Sequence, residues 1–187
     1  MPPFVYVMGP SGVGKDSLLR FARDALQPGE KIAFAHRYIT RPMAQEGENH
    51  IALSESEFEA RREAGLFSFA WTAHGFRYGI GVEVELWRQA GFAVVLNGSR
   101  EHFRSLPPYT GGMIPVLVTA SPEALASRLA ARGREGRSAI AERLERAKEL
   151  DIGGRSIILL DNSGPLEEAG RRFLELLRDV AARRTSV

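Results

Sequence analysis

The segment Gly9-Pro10-Ser11-Gly12-Val13-Gly14-Lys15 limits what this chain can fold into more than any other. It lies between a short apolar run, Phe4–Met8, and a stretch from Asp16 to Leu26 that reads as a helix ended by Pro28-Gly29. A G-x-x-x-x-G-K loop after a strand and before a helix is a phosphate cradle. The glycines let the backbone turn so that successive N–H groups face an anion, and the helix behind adds its positive end. Lys15 is placed to reach β- and γ-phosphates as a compact mobile charge. The usual loop has Ser or Thr directly after the Lys. Here Asp16 stands there and Ser17 follows. Residues 9–15, Asp16 and Ser17 are the expected nucleotide-binding set, with Ser17 as the expected hydroxyl ligand of Mg²⁺.

The rest of the chain alternates short apolar runs with amphipathic stretches. Phe92–Leu96, Ile114–Val118 and Ile157–Leu160 read as buried strands, each followed by a turn and a helical pattern. Ser121-Pro122 is a helix start, with Ser as N-cap and Pro in the first position. Pro165 opens the last helix, where Leu166, Phe173, Leu174, Leu177 and Val180 form an apolar stripe. The alternation predicts an α/β protein: a three-layer P-loop NTPase, with a parallel sheet and helices on both faces. From about 36 to 80 the rhythm breaks. Strand-like Tyr38–Thr40 and Asn49–Leu53 precede a helix over 55–64, with Ser54 and Glu57 spaced as a capping box. Phe67–Trp71 and a tight Tyr78-Gly79 come next. This stretch is expected to be a small inserted α+β subdomain over the acceptor, leaving 1–35 and 81–187 as the core of a single kinase domain.

Composition narrows the class. Of 187 residues, 44% are hydrophobic and 26% charged, which suits a globular chain. A net charge of +2 is too small for a general polyanion binder, so no nucleic-acid partner is expected. There is no cysteine, which excludes disulfides and thiolate zinc sites. No apolar run reaches the roughly 18 residues of a membrane span, and Met1-Pro2-Pro3 lacks a basic leader. The expected location is the cytoplasm. The basic residues instead gather in two places. Arg128, Arg132, Arg134, Arg137 and Arg143 surround Gly133 and Gly136, which suits an Arg-rich lid at about 130–140 closing over ATP. Glutamates nearby offer the plainer reading of a solvated helix pair. Arg37 and Arg41, four apart near a strand end, make a fork for an anionic acceptor. The four histidines show no metal spacing and read singly as surface or structural residues. Trp71 and Trp87 read as core.

Together these residues resemble the guanylate kinase family over nearly the whole chain. The shared signals are the loop, Thr40-Arg41, Gly47-Glu48, Tyr78-Gly79, Arg128-Leu129, Arg132-Gly133, and Ile140 to Arg143-Leu144. The resemblance implies an acceptor subdomain and an Arg lid. The positions that read guanine in that family depart from it. The serine four residues before the second-arm arginine is Arg37. The upstream glutamate falls near Phe69. The hydroxyl residue after Tyr-Gly is Ile80, and the acidic residue at the end of the middle strand is missing from Leu96-Asn97-Gly98-Ser99-Arg100. GMP is therefore not the expected acceptor.

Arg37-Tyr38-Ile39-Thr40-Arg41, Gly47 to Ser54, Trp71 with Ala73-His74-Gly75, Tyr78-Gly79-Ile80 and Asn97-Gly98-Ser99-Arg100 are similar to a narrower family, the ribose 1,5-bisphosphate phosphokinases of phosphonate catabolism. That resemblance implies ATP-dependent formation of 5-phosphoribosyl 1-diphosphate (PRPP). A sugar bisphosphate has no base to read and one more phosphate to neutralise, which suits the added arginines. The expected catalytic residues are Lys15, Arg132, Arg137 and Arg143. Arg128 joins the ATP set. Arg37, Arg41, Glu48, His50, Tyr78, Asn97 and Arg100 are expected at the acceptor. ATP and Mg²⁺ are the expected cofactors, a small phosphorylated sugar the expected partner, and a homodimer is left open. The alternatives are a guanylate or other nucleoside monophosphate kinase and a non-catalytic binding module of the same fold. The intact loop and Lys15 weigh against the last.

Overall fold

The computed structural model describes residues 1–42, 50–107, 112–131 and 156–182. Among them the strands form two sheets. The larger has the order β2-β7-β1-β8-β9, all neighbours parallel: Ile32–Phe34, Ala93–Asn97, Phe4–Met8, Met113–Thr119 and Ile158–Asp161. β1 is central and buried along all five residues. Its side chains alternate between faces. Val5 and Val7 pack under helices α1 (Lys15–Asp24) and α6 (Leu166–Ala182) with Leu18, Ala22, Phe173 and Leu177. Phe4, Tyr6 and Met8 face the other side, with Leu96, Ile80, Val84 and Phe103 from β7, β6 (Phe76–Gly81), α3 (Glu83–Gln89) and α4 (Arg100–Ser105). Gly170 lets α6 cross α1 closely, since a Cβ there would lie 2.4 Å from the Phe21 ring. The remaining core helix, α5 (Pro122–Ala131), begins as expected: the Ser121 hydroxyl accepts from the Ala124 N–H at 3.2 Å.

The second sheet is mixed, with the order β4-β3-β6-β5: His50–Ala52, Arg37–Ile39, β6 and Phe67–Ala73. Helix α2 (Glu55–Glu63) is capped by the Ser54 hydroxyl, which accepts from the Glu57 N–H at 3.1 Å. Two kinds of contact hold α2. Phe58 is buried with its ring 4.7 Å from that of Phe67, and burying such a ring contributes about 2–3 kcal/mol. Arg77 pairs with Glu55 and Glu59 at the surface, where each ion pair adds at most about 1 kcal/mol. The aromatic contact therefore seats the helix.

Several elements differ from the sequence expectation. α1 spans Lys15–Asp24, shorter than the stretch to Leu26. β7 and β9 each lie one residue later than their apolar runs. The tight position is not Tyr78-Gly79, which lies inside β6. The β5–β6 turn is His74-Gly75, both with positive φ (51° and 76°). Gly79 is needed for close approach instead, because a Cβ would meet the Phe67 ring at 2.7 Å. β2 and α3 carry no strong sequence signal and were not foreseen. Trp71 and Trp87 are half-buried against the second core cluster. No helix among the described residues is long and apolar enough to cross a membrane.

The two sheets meet through stacked rings. The His102 ring lies on Trp71 (4.6 Å, 12°), and Trp71 lies on Tyr78 (5.4 Å, 8°). His102 also shares a 2.8 Å hydrogen bond with the buried Tyr6 hydroxyl. Burial lowers the His102 pKa from 6.5 to about 4 and pushes the Tyr6 phenol up. Above pH 6.5 the His102 ring is neutral in both the folded and the unfolded chain. Between 6.5 and about 4 only the unfolded chain takes the proton, so stability falls as pH falls through that window. Urea unfolding should show up to about 3 kcal/mol lost from this group between pH 7 and pH 4, and the His102→Gln variant should lose less over the same range.

Candidate active site

Strand β1 delivers the glycine-rich loop at the C-terminal edge of the parallel sheet, between β7 and β8, where such sheets bind ligands. Gly12 and Gly14 take φ of 86° and 88°, which side chains disfavour. Gly9 touches β8, where a Cβ would lie 2.7 Å from the Val118 carbonyl oxygen. Val13 N–H donates to the Pro10 carbonyl at 3.3 Å, and Leu18 N–H to that of Gly14 at 3.0 Å, so turn and helix are continuous. Ser11 is exposed at the loop's crest.

The loop is braced from behind through the Val13 carbonyl. The buried Asn162 side chain donates to it from Nδ2 at 2.7 Å, and Arg128 donates from a guanidinium N–H at 3.2 Å. Arg128 also reaches the Gly164 carbonyl at 3.5 Å. It thus touches the loop directly. Asn162 was not foreseen. The available signal was the turn Asp161-Asn162-Ser163-Gly164 at a strand's C-terminal end, beside the expected site.

In front of the loop, Asn97 at the end of β7 joins Lys15 and Asp16. Its Oδ1 accepts from Lys15 Nζ, and its Nδ2 donates to Asp16 Oδ1 at 2.9 Å. Lys15 Nζ lies 3.6 Å from the same carboxylate oxygen. Burial raises the Asp16 pKa. The charges of Lys15 and Arg37 and the bond from Asn97 outweigh it, so the carboxyl stays below its ordinary value. Asp16 remains about half exposed. With Arg20, Arg23, Phe34 and Asn97 it lines an open hollow along α1. Ser17 is half-buried in the first turn of α1. Among the described residues no group of three or more His, Asp or Glu gathers that could hold a metal by itself. One carboxylate and a nearby hydroxyl fit Mg²⁺, which draws most of its ligands from phosphates and water.

On the acceptor side, Arg37 is buried and its guanidinium lies 5.5 Å from the Tyr78 ring centre. Arg37 pairs in register with His50 across β3 and β4. Arg41 stands 5.8 Å from the Phe76 ring. Ile80 is buried in the core, and Phe69 packs edge-on against Phe4 and His102. Two of the three guanine-reading positions that depart from the guanylate kinase pattern, Phe69 and Ile80, are thus packed apolar groups, and the third is the buried Arg37. Arg100 opens α4, whose N-cap Ser99 accepts from the His102 N–H at 3.0 Å. The structure thus gathers Lys15, Asp16 and Asn97 at the loop, and Arg37, His50 and Tyr78 in one sheet. Glu48, Arg132, Arg137, Arg143 and the expected lid from 132 onward lie outside the described residues.

This parallel sheet with its phosphate loop and second sheet defines a P-loop kinase. A guanylate kinase structure from Anaplasma phagocytophilum superposes with a TM-score of 0.62 over 98% of this chain and 88% of its own, at 17% identity, a likeness of fold. No family model matches the chain. The chain belongs to the ribose 1,5-bisphosphate phosphokinase family. It is 49% identical over 177 residues to "Ribose 1,5-bisphosphate phosphokinase PhnN" of Thiobacillus denitrificans, covering 95% of this chain and 93% of that one. It is 45% identical to the protein of the same name in Desulfomicrobium baculatum, covering 95% of each.

Gly98 ties the site to the core, because a Cβ there would lie 2.0 Å from the Tyr6 ring. The Gly98→Ala variant should lose about 2–4 kcal/mol of stability in urea unfolding, as overpacking beside a rigid ring does.

Proposed function

We propose that this protein transfers the γ-phosphoryl group of ATP to the phosphate on C1 of ribose 1,5-bisphosphate, giving 5-phosphoribosyl 1-diphosphate and ADP. The observation that carries this reading is the acceptor sheet. A buried arginine, Arg37, stands at the position of a base-reading serine in the guanylate kinase family, and Ile80 and Phe69, at two further such positions, pack into the core and offer no polar group to a base. That supports an acceptor rich in phosphate and without a base, and the names of the relatives agree with it.

In this reading the backbone of residues 9–15 and Lys15 hold the β- and γ-phosphates. Arg37, Arg41, His50 and Tyr78 hold the acceptor, with Glu48, Asn97 and Arg100 at its edges. Arg132, Arg137 and Arg143 close on the transferring group, and Ser17 stands near the metal. Mg²⁺, which Asp16 and Ser17 would hold with the nucleotide, would offset the charge of the phosphates. The attacking oxygen belongs to a phosphate already ionised at pH 7, so no general base is required. Positioning and charge neutralisation then supply most of the rate. The need for ATP and a phosphorylated metabolite places the protein in the cytoplasm.

ADP release should be measured with ribose 1,5-bisphosphate and GMP in parallel, and the product identified by mass. The sugar bisphosphate should turn over, with negligible turnover of GMP; efficient GMP turnover would reverse the assignment. Lys15→Met should lower kcat by roughly 100-fold or more with the fold intact, by the size of one lost transition-state contact. Arg37→Ser should raise the acceptor KM by about tenfold while changing that for ATP little, since a charged hydrogen bond contributes about 1.5–3 kcal/mol.

A further inference from the structure

Phosphate loops of this kind divide the metal's protein ligands between two elements. A hydroxyl follows the loop lysine, and a carboxylate stands at the end of a neighbouring strand. In this chain both positions are altered together. The place after Lys15 carries Asp16, and the end of β7, beside β1, carries Asn97. The two side chains touch: Asn97 Nδ2 donates to Asp16 Oδ1 at 2.9 Å. The carboxylate stands where the hydroxyl would be, and an amide stands where the strand-end carboxylate would be, in contact with it.

We propose that Asp16, and not Ser17, is the principal protein ligand of the divalent cation, and that Asn97 is the positioning residue that orients its carboxylate. This rests on the kinase reading above. Three features of the geometry support it. First, the Asn97 amide is fixed at both ends, because its oxygen accepts from Lys15 and its nitrogen therefore points at Asp16. Second, the Asp16 carboxylate is half-exposed directly after the loop lysine, with Lys15 Nζ 3.6 Å away, so it is open to a ligand. Third, a carboxylate at 97 would face that of Asp16 at hydrogen-bond distance with no donor between them. Like charges so close repel strongly, so only one of the two positions can carry the acid. When Lys15 turns to nucleotide phosphates it leaves the Asp16 carboxylate, and a hard cation on those phosphates replaces it as the counter-charge.

The test reads metal binding rather than turnover. Mn²⁺ is titrated into the protein saturated with a non-hydrolysable ATP analogue, and free Mn²⁺ is followed by its electron paramagnetic resonance signal. Affinity for the analogue in EDTA, without metal, serves as the check on folding and on the loop. Asp16→Asn should weaken Mn²⁺ binding by about tenfold or more, as loss of a ligand or of its orienting partner does. Ser17→Ala should weaken it by less than about threefold, and Asn97→Ala should fall between the two. Asp16→Ser should lose the metal as Asp16→Asn does. The double variant Asp16→Ser with Asn97→Asp should regain most of the affinity, which a merely structural role for Asp16 would not produce. Wild-type Mn²⁺ affinity in Asp16→Asn, or an equal loss in Ser17→Ala, would overturn the assignment alone. A wild-type protein that binds neither the analogue nor additional Mn²⁺ would overturn the kinase reading and the assignment with it.

Discussion

The rest of the structure depends on β1 being buried along its whole length. A strand covered on both faces must sit in the middle of a sheet, with helices above and below. Its five residues alternate Phe, Val, Tyr, Val and Met, so the larger side chains face one helical layer and the valines the other. A central parallel strand has neighbours on either side whose C-terminal ends open the same way. The loop that leaves β1 therefore emerges beside Asn97 of β7, Thr119 of β8 and, one strand further out, Asn162 just past the end of β9. Two of these strand ends support the loop through side chains. Asn162 fixes the Val13 carbonyl from behind, and Asn97 orients Lys15 and Asp16 from the front. Neither amide carries a net charge. The loop's positive field is thus kept for the phosphates.

The acceptor sheet is coupled to this core by packing and not by a covalent hinge alone. A column of groups runs from Arg37 over Tyr78, through Trp71 and His102, to Tyr6 in β1. Tyr6 in turn contacts Gly98 and the Ser99 backbone, next to Asn97. The residue that would meet acceptor phosphate and the one that orients the loop lysine are therefore connected through stacked rings. A stack of this kind has well-defined ring spacing and resists sliding more than an aliphatic contact does.

Charge is arranged economically. Arg37 lowers the Asp16 pKa from the acceptor side while Lys15 does so from the loop. The carboxylate is thus the shared counter-ion of two cations, one at the loop and one in the second sheet. The site is in this sense balanced before any ligand arrives, with little like-charge repulsion to weaken the fold.

What was legible in the sequence was local. The loop reads directly because its glycines, lysine, preceding strand and following helix are contiguous, and each acts through backbone geometry within a few residues. The same holds for Ser121-Pro122 and for the Ser54 cap. β2 is three residues long, and α3 follows Val82, which gives no side-chain cap, so neither gives a periodic or capping signal. The β5–β6 turn was misplaced because a histidine, not a second glycine, takes the left-handed conformation beside Gly75. The relations that define the site join residues far apart in sequence: Asn97 with Lys15 and Asp16, Asn162 with Val13, and His102 with Tyr6 and Trp71. Sequence by itself determined which groups are present, a phosphate loop with an acid after its lysine and an arginine in place of a base-reading serine. Only the tertiary structure decided which of them touch. Contact between strand ends depends on the order in which the sheet assembles its strands, and that order is set by burial of whole faces rather than by any local run of residues.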